Sequence, residues 1–333
     1  MSETPALSVS DLKVHFPVGG GKVVHAVDGI SFDIPAGVAF GLVGESGSGK
    51  TTAAMACARL NDATDGTIRL GGDDITHLDG DQMRQARRDI QVVFQDPYAS
   101  LNPRERAGAI VRRPMDLMGI GTPKEREDRV DELFATVGLR AEQKALFPHQ
   151  FSGGQRQRIG IARALATRPK LIVCDEPVSA LDVAIQAQIL NLLGRLKAEL
   201  GLSYLFISHD LGVVQHLCDQ IAVMYLGQIV EIGGSRSAIF RRPMHPYTMA
   251  LISAVPTLEA GMDVGMRLKG DPPSPISPPE GCRFAGRCQF AQDRCRQESP
   301  VLSGDPDGHK VACFRARDLE VVALREELTR VPA

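Results

Sequence analysis

The sequence predicts an α/β fold, a parallel β-sheet flanked by helices, and three features carry that expectation. Short apolar runs fit to be buried strands, Leu171-Ile172-Val173-Cys174, Tyr204-Leu205-Phe206-Ile207 and Ile221-Ala222-Val223-Met224, alternate with helical segments. Another such run, Val38-Ala39-Phe40-Gly41-Leu42-Val43, leads straight into Gly44-Glu45-Ser46-Gly47-Ser48-Gly49-Lys50-Thr51, and helix-forming composition follows from Thr51 to Leu60. Finally, Ile185, Ile189, Leu192, Leu193, Leu196 and Leu200 recur at helical spacing, a stripe that packs on a core and carries no chemistry.

In chain order, Leu7 to Phe40 alternates apolar and polar residues between glycine turns, which predicts a small antiparallel sheet, and Gly66-Thr67-Ile68-Arg69-Leu70 adds a strand to it. Ile90-Gln91-Val92-Val93-Phe94 reads as a core strand. From about Glu105 to Ala166 charged, helix-favouring stretches such as Lys124 to Val137 replace strands, which predicts a helical subdomain inserted in the core. Past Phe240 the composition shifts, and Asp271 to Pro279 holds too many prolines for helix or sheet, so it is expected to be a stiff strap.

Composition sets the outer bounds. With 333 residues and 43% hydrophobic content the chain can bury a large core. Its 38 basic and 40 acidic side chains leave a net charge of −2, without the positive field of a dedicated nucleic-acid binder. No apolar run approaches the roughly 18 residues a spanning helix needs. The start, Met1-Ser2-Glu3-Thr4-Pro5, has no apolar segment of a secretory signal, so a cytosolic location is expected, with any membrane contact made through a partner.

The glycine-rich segment is a complete G-x-x-x-x-G-K-[ST] phosphate loop between a strand and a helix. Its backbone N–H groups can surround a polyphosphate, Lys50 can reach the terminal phosphates, Thr51 can place its hydroxyl on Mg²⁺, and the helix end adds positive potential. The expected contacts with a nucleoside triphosphate are Gly44, Ser46, Gly47, Ser48, Gly49, Lys50, Thr51 and Thr52. The strand Leu171 to Cys174 ends in Asp175 and Glu176 and is expected beside the loop strand, Asp175 facing Mg²⁺ and Glu176 polarising a water for attack on the γ-phosphate.

A second phosphate-binding device lies at Phe151-Ser152-Gly153-Gly154-Gln155, where Ser152 can cap a helix running to Ala166 and the glycines expose backbone N–H groups. One loop already serves the chain's own nucleotide, so this device is expected to contact the nucleotide of a neighbouring subunit. Here the residues resemble the ATP-binding-cassette (ABC) ATPases, with Ser152-Gly153-Gly154-Gln155 as their signature and Phe151 where most members carry leucine. The resemblance implies a P-loop NTPase core with an antiparallel β subdomain, binding ATP and Mg²⁺. It also implies a role for Gln95 on Mg²⁺ or the attacking water, for Ser179 and Asp182 in a loop reaching across the dimer interface, for His209 on the γ-phosphate, and for Phe16 stacked on adenine, with His15 in that place or a core role for Phe16 as the alternatives.

Within that family, His245-Pro246-Tyr247, the proline strap, Phe94 to Pro103 and Gly281-Cys282-Arg283-Phe284-Ala285-Gly286-Arg287-Cys288 resemble the oligopeptide/dipeptide importer ATPases. This implies a cassette over about residues 7–240, its helical subdomain at about 103–166, and a C-terminal extension over 241–333. It implies ATP hydrolysis at the cytoplasmic face of the cytoplasmic membrane, with a second ATPase subunit (a copy or a paralogue), two membrane permease subunits and, indirectly, an external substrate-binding protein. Import of a nickel chelate, glutathione or another small solute is the alternative within the class, and a soluble ABC ATPase acting on DNA or ribosomes is the remote one.

Of seven cysteines, Cys57, Cys174 and Cys218 fall in apparent core elements, whereas Cys282, Cys288, Cys295 and Cys313 cluster near the end. In a reducing compartment that clustering favours metal ligation over disulfides. The gaps of five, six and seventeen residues contain no C-x-x-C pair. Four thiolates suit an iron–sulfur cluster or Zn²⁺, with unligated thiols as the third option. Some importer ATPases of this kind carry a [4Fe-4S] cluster on the extension, and the resemblance implies one here, fastening a loop-rich segment.

Overall fold

The computed structural model describes residues 4–254, 268, 270–304 and 308–318. Residues 1–3, where the leader reading begins, and 255–267, 269, 305–307 and 319–333 of the C-terminal region lie outside the described residues.

Strands β1 (Leu7–Pro17) and β2 (Val23–Ile34) pair antiparallel, and β3 (Ala39–Val43) then enters a second sheet. Phe40 therefore belongs to the core sheet, not to the antiparallel one. Helix α1 (Lys50–Cys57) follows the glycine-rich loop, after which β4 (Asp65–Leu70) and β5 (Asp73–Asp74) complete an antiparallel sheet of order β2-β1-β4-β5. Helix α2 (Gly80–Asp89) leads to β6 (Ile90–Val93), and the chain then runs through α3 (Ala107–Met118), α4 (Pro123–Thr136) and α5 (Gly153–Leu165) without a strand. Helix α4 starts on a capping box between Thr122 and Glu125 with Pro123 as its first residue, which places its N-terminus where the sequence puts it.

The chain returns to the core through β7 (Leu171–Asp175), α6 (Val183–Leu200), β8 (Ser203–Ser208), α7 (Leu211–Leu217) and β9 (Gln220–Tyr225). Strand β10 (Gln228–Gly233) folds back antiparallel on β9 through Leu226 and Gly227, both at positive φ. Beyond α8 (Arg236–Arg241) and α9 (Pro246–Ser253), the extension supplies α10 (Asp293–Gln297), β11 (Ser303–Gly304) and β12 (Lys310–Val311). The second sheet has the order β11-β12-β10-β9-β3-β8-β7-β6, so the extension adds two strands to its edge.

Both faces of the parallel strands are buried, which is why they read as unbroken apolar runs. Ile172, Cys174, Tyr204 and Phe206 point into one cluster with α5, α6 and the helical subdomain, while Leu171, Val173, Leu205 and Ile207 point into the other, with α1 and the antiparallel sheet. Cys57, Cys174 and Cys218 are fully buried in these clusters, as their sequence positions imply. The expectation that β7 lies beside the loop strand is corrected, because β8 pairs with both and separates them.

Candidate active site

The glycine-rich loop is held by contacts that forbid a side chain at two positions. Gly44 has φ +156, and a Cβ there would lie 2.1 Å from the Met224 carbonyl oxygen. Gly49 has φ +102, and a Cβ there would lie 2.1 Å from the Ala26 oxygen. Lys50 folds across the loop, its Nζ donating to the Gly44 and Glu45 carbonyls at 2.8 Å each. Burial lowers the pKa of this ammonium, against the opposing pull of Glu176, Asp175 and Glu45.

The strand order does not keep Asp175 from the loop. The Thr51 hydroxyl donates to Asp175 Oδ1 at 2.9 Å, so two hard oxygen donors stand together, a set that fits Mg²⁺. Burial raises the Asp175 pKa, and the Thr51 hydrogen bond partly offsets that. Glu176, just past β7, sits at φ +43, a left-handed conformation uncommon for a residue with a side chain. Gln95 Nε2 donates to Glu176 Oε2 at 3.0 Å, and His209 Nδ1 lies 3.0 Å from Glu176 Oε1.

Gln95, Glu176 and His209 line one cleft of about 790 Å³ with Gly44, Ser46, Gly47, Gly49, Lys50, Thr51 and Thr52. Ser48, the remaining loop residue, is buried, with its Oγ 3.4 Å from Lys50 Nζ. Phe16, 41% exposed on β1, is not among the lining residues; its cross-strand partner Val24 is, together with His25. His15 is drawn instead to Asp28, with Nε2 2.9 Å from Oδ1. His15, His25 and Asp28 bring three donor atoms within 4.8 Å of one another, but Arg283 already pairs with the Asp28 carboxylate and neutralises it. Sequence reasoning missed the strap's place: Pro272 and Pro275 line the cleft, and the Pro275 oxygen accepts from His25 N–H at 3.0 Å.

Ser152, Gly153, Gly154 and Gln155 stand apart from this cleft. Ser152 Oγ accepts from Gln155 N–H at 3.3 Å and Gln155 Oε1 accepts from Ser152 N–H at 3.1 Å, a capping box that leaves Ser152 exposed at the head of α5. Gly154 has a second role, since a Cβ there would lie 2.5 Å from Ile185 of α6. Ser179, exposed, donates its hydroxyl to the Glu176 carbonyl at 3.1 Å, and Asp182, also exposed, caps α6 through Ile185 N–H at 2.9 Å.

Cys282, Cys288, Cys295 and Cys313 line one pocket with Phe284 and Phe290. Burial raises the Cys282 and Cys288 thiols and pushes Cys313 up to about 12. Among the described residues, no three of the four sulfurs converge within 4.8 Å.

Residues 27–179 match the family model "ABC transporter", and residues 230–295 match "Oligopeptide/dipeptide transporter, C-terminal region". The chain is 47% identical over 317 residues to the oligopeptide transport ATP-binding protein AppF of Bacillus subtilis, covering 92% of this chain and 96% of that one. It is 48% identical over 314 residues to a probable peptide ABC transporter ATP-binding protein, y4tS, of Sinorhizobium fredii, covering 92% and 89%. Among solved structures it resembles a post-hydrolysis dimer of the ATP-binding cassette MJ0796 bound to ADP and Pi, with TM-score 0.63 and 29% identity over 68% of this chain and 97% of that one. CbiO1 of Clostridium perfringens, part of the transporter complex cbiONQ, also matches, with TM-score 0.63 and 28% identity over 72% and 91%. Phosphate loop, fold and relatives agree, and the chain belongs to the ABC transporter ATPases that carry the oligopeptide/dipeptide transporter C-terminal region.

Proposed function

We propose that this chain is the ATP-hydrolysing subunit of an importer of di- and oligopeptides, working at the cytoplasmic face of the cytoplasmic membrane. No helix of the described residues is long and apolar enough to cross a membrane; on this reading two permease subunits form the path for the peptide. A second ATPase subunit, a copy or a paralogue, completes the pair, and an external binding protein delivers the cargo.

The observation that carries the catalytic assignment is the hold of Gln95 and His209 on the two oxygens of Glu176, in the cleft that Lys50 and Thr51 line. Glu176 takes the proton of the attacking water, Gln95 orients that water, and His209 steadies the carboxylate and meets the γ-phosphate. Lys50 and the loop N–H groups hold the phosphates, and Phe16, exposed across the strand pair from the lining residue Val24, stacks on an adenine that extends past the cleft edge. Thr51, Asp175 and Gln95 would hold Mg²⁺, which neutralises phosphate charge. Ser152 to Gln155 close the site on a partner's nucleotide, with Ser179 and Asp182 at the interface. In cells, Glu176→Gln should abolish uptake of labelled peptides. Peptide uptake that persists while uptake of a nickel chelate or glutathione stops would contradict the cargo.

In this proposal the cassette spans residues 7–240, with its helical part at 103–166, and an extension follows over residues 241–333. In the extension the four thiols hold a [4Fe-4S] cluster that fastens the loops. What supports the reading is that the four thiols line one pocket; Zn²⁺ and unligated thiols are the alternatives. Anaerobic purification should give a coloured protein containing iron and sulfide; a colourless protein lacking both would refute it.

A further inference from the structure

The loop between Cys282 and Cys288 does more than connect two thiols. Phe284, 2% exposed, packs against Tyr225 and Tyr247 with ring centroids 5.2 and 5.5 Å away, and this wedge fixes the two arginines beside it. Arg287 extends to the phosphate loop, Nη1 lying 2.6 Å from Glu45 Oε2 and Nη2 3.2 Å from Oε1. Its side chain is only 6% exposed, and its guanidinium is also 3.4 Å from the Tyr225 hydroxyl. Tyr247, from α9, accepts a hydrogen bond from the Glu45 backbone N–H at 2.7 Å. Glu45 is thus held at side chain and backbone by residues more than two hundred positions away.

A parallel set of contacts reaches the far side of the loop. Arg283 binds the Leu226 carbonyl and Asp28, and the next residue, Gly227, donates its N–H to the Ser48 carbonyl at 2.8 Å. The phosphate loop is therefore braced from both ends by one segment of the extension. A bidentate arginine–carboxylate pair is directional, so it fixes the path of the chain at Glu45 as well as its charge.

We propose that Arg287 and Tyr247 are positioning residues of the ATP site, holding Glu45 so that the phosphate loop keeps its nucleotide-binding shape. Neither touches the reacting atoms. They act by removing loop conformations that ATP would otherwise have to select against, so their loss weakens nucleotide affinity more than turnover at saturation. The inference rests on the assignment of residues 44–51 as the phosphate loop.

The test is titration of the full-length chain with a fluorescent ATP analogue, together with steady-state ATPase assays of the assembled transporter. Arg287→Ala should raise the analogue Kd roughly three- to tenfold, within the range of a long-range coupling, with KM rising and kcat changing less. Arg287→Lys should recover part of that loss. The double variant Glu45→Ala with Arg287→Ala should bind no more weakly than Arg287→Ala, because each removes the same contact. Tyr247→Phe, which keeps the ring and its packing, should raise Kd as well, and it serves if the arginine variants do not fold. An unchanged Kd in Arg287→Ala or in Tyr247→Phe, or additive losses in the double variant, would overturn the inference. Lys50→Ala separates the two levels: if it loses affinity while Arg287→Ala does not, the inference alone fails; if Lys50→Ala binds normally, the phosphate-loop assignment fails with it.

Discussion

His209 Nδ1 lies 3.0 Å from Glu176 Oε1, and that contact joins the end of β8 to the end of β7 across the mouth of the nucleotide cleft. In the proposed mechanism the two side chains act on the same proton path. Glu176→Gln should lower ATP turnover by roughly 10²- to 10⁴-fold while leaving ATP affinity intact, the range for a positioned general base. His209→Ala should fall in the same direction, and the double variant should be little worse than Glu176→Gln alone. Steady-state ATPase assays with equilibrium ATP binding check both, and unchanged turnover in Glu176→Gln would refute its role.

Ser152 has an observed capping role and a proposed phosphate-facing one, and chemistry can separate them. Its hydroxyl caps α5 and, in the proposed dimer, faces an anion. Ser152→Ala should cost about 1 kcal/mol of subunit stability through the lost cap. Ser152→Asp keeps a capping oxygen and should unfold within about 0.5 kcal/mol of the parent, yet its charge repels a phosphate and should abolish ATPase activity. Chemical denaturation of the isolated subunit and turnover of the assembled one distinguish the two effects.

The loop glycines should differ in cost. At Gly49 a Cβ meets the Ala26 oxygen at 2.1 Å with φ +102, whereas at Gly47 nothing lies within 4 Å and only the φ of +78 opposes a side chain. Gly47→Ala should therefore cost about 1–2 kcal/mol. Gly49→Ala adds a backbone clash and should cost clearly more, read as a larger fall in Tm by differential scanning fluorimetry. Equal falls would contradict the packing described around the loop.

Acid should destabilise the protein through His245. Its imidazole is completely buried, and burial pushes its pKa down from 6.5 to about 3. Nδ1 accepts from the Tyr247 N–H at 3.1 Å, so protonation there would set donor against donor. The unfolded chain takes up this proton below its ordinary pKa while the folded one does not, so the contribution is complete above about pH 6.5 and is lost as pH falls toward 3. The slope is at most about 1.4 kcal/mol per pH unit. His245→Asn keeps a capping acceptor and should flatten that part of the profile, measured by urea unfolding from neutral pH to about pH 5. An unchanged slope would show that His245 does not carry it.

Local motifs made the catalytic ends of the strands legible. The loop, Gln95, Glu176 and His209 each follow a strand, so the sheet delivers them to one edge, even though the expected neighbour of β3 was wrong. Strand β10 escaped notice because the first residue of its hairpin turn is Leu226, at φ +44 where asparagine, aspartate or glycine is the usual signal, which leaves Gly227 as the lone cue. Arg287 on Glu45 had no local signal at all, since a pair 242 residues apart leaves no periodicity in sequence. The same holds for Pro275 against His25, where only the composition of the strap could be read.

In the proposed dimer Ser152 completes a nucleotide site whose phosphate loop belongs to another subunit. The most direct measurement is a structure of the assembled Glu176→Gln complex trapped with Mg-ATP. It should place Ser152 Oγ within hydrogen-bonding distance, about 3 Å, of the γ-phosphate of an ATP held by the opposing cassette. Ser152 found far from any γ-phosphate, or against the nucleotide of its own loop, would contradict the account.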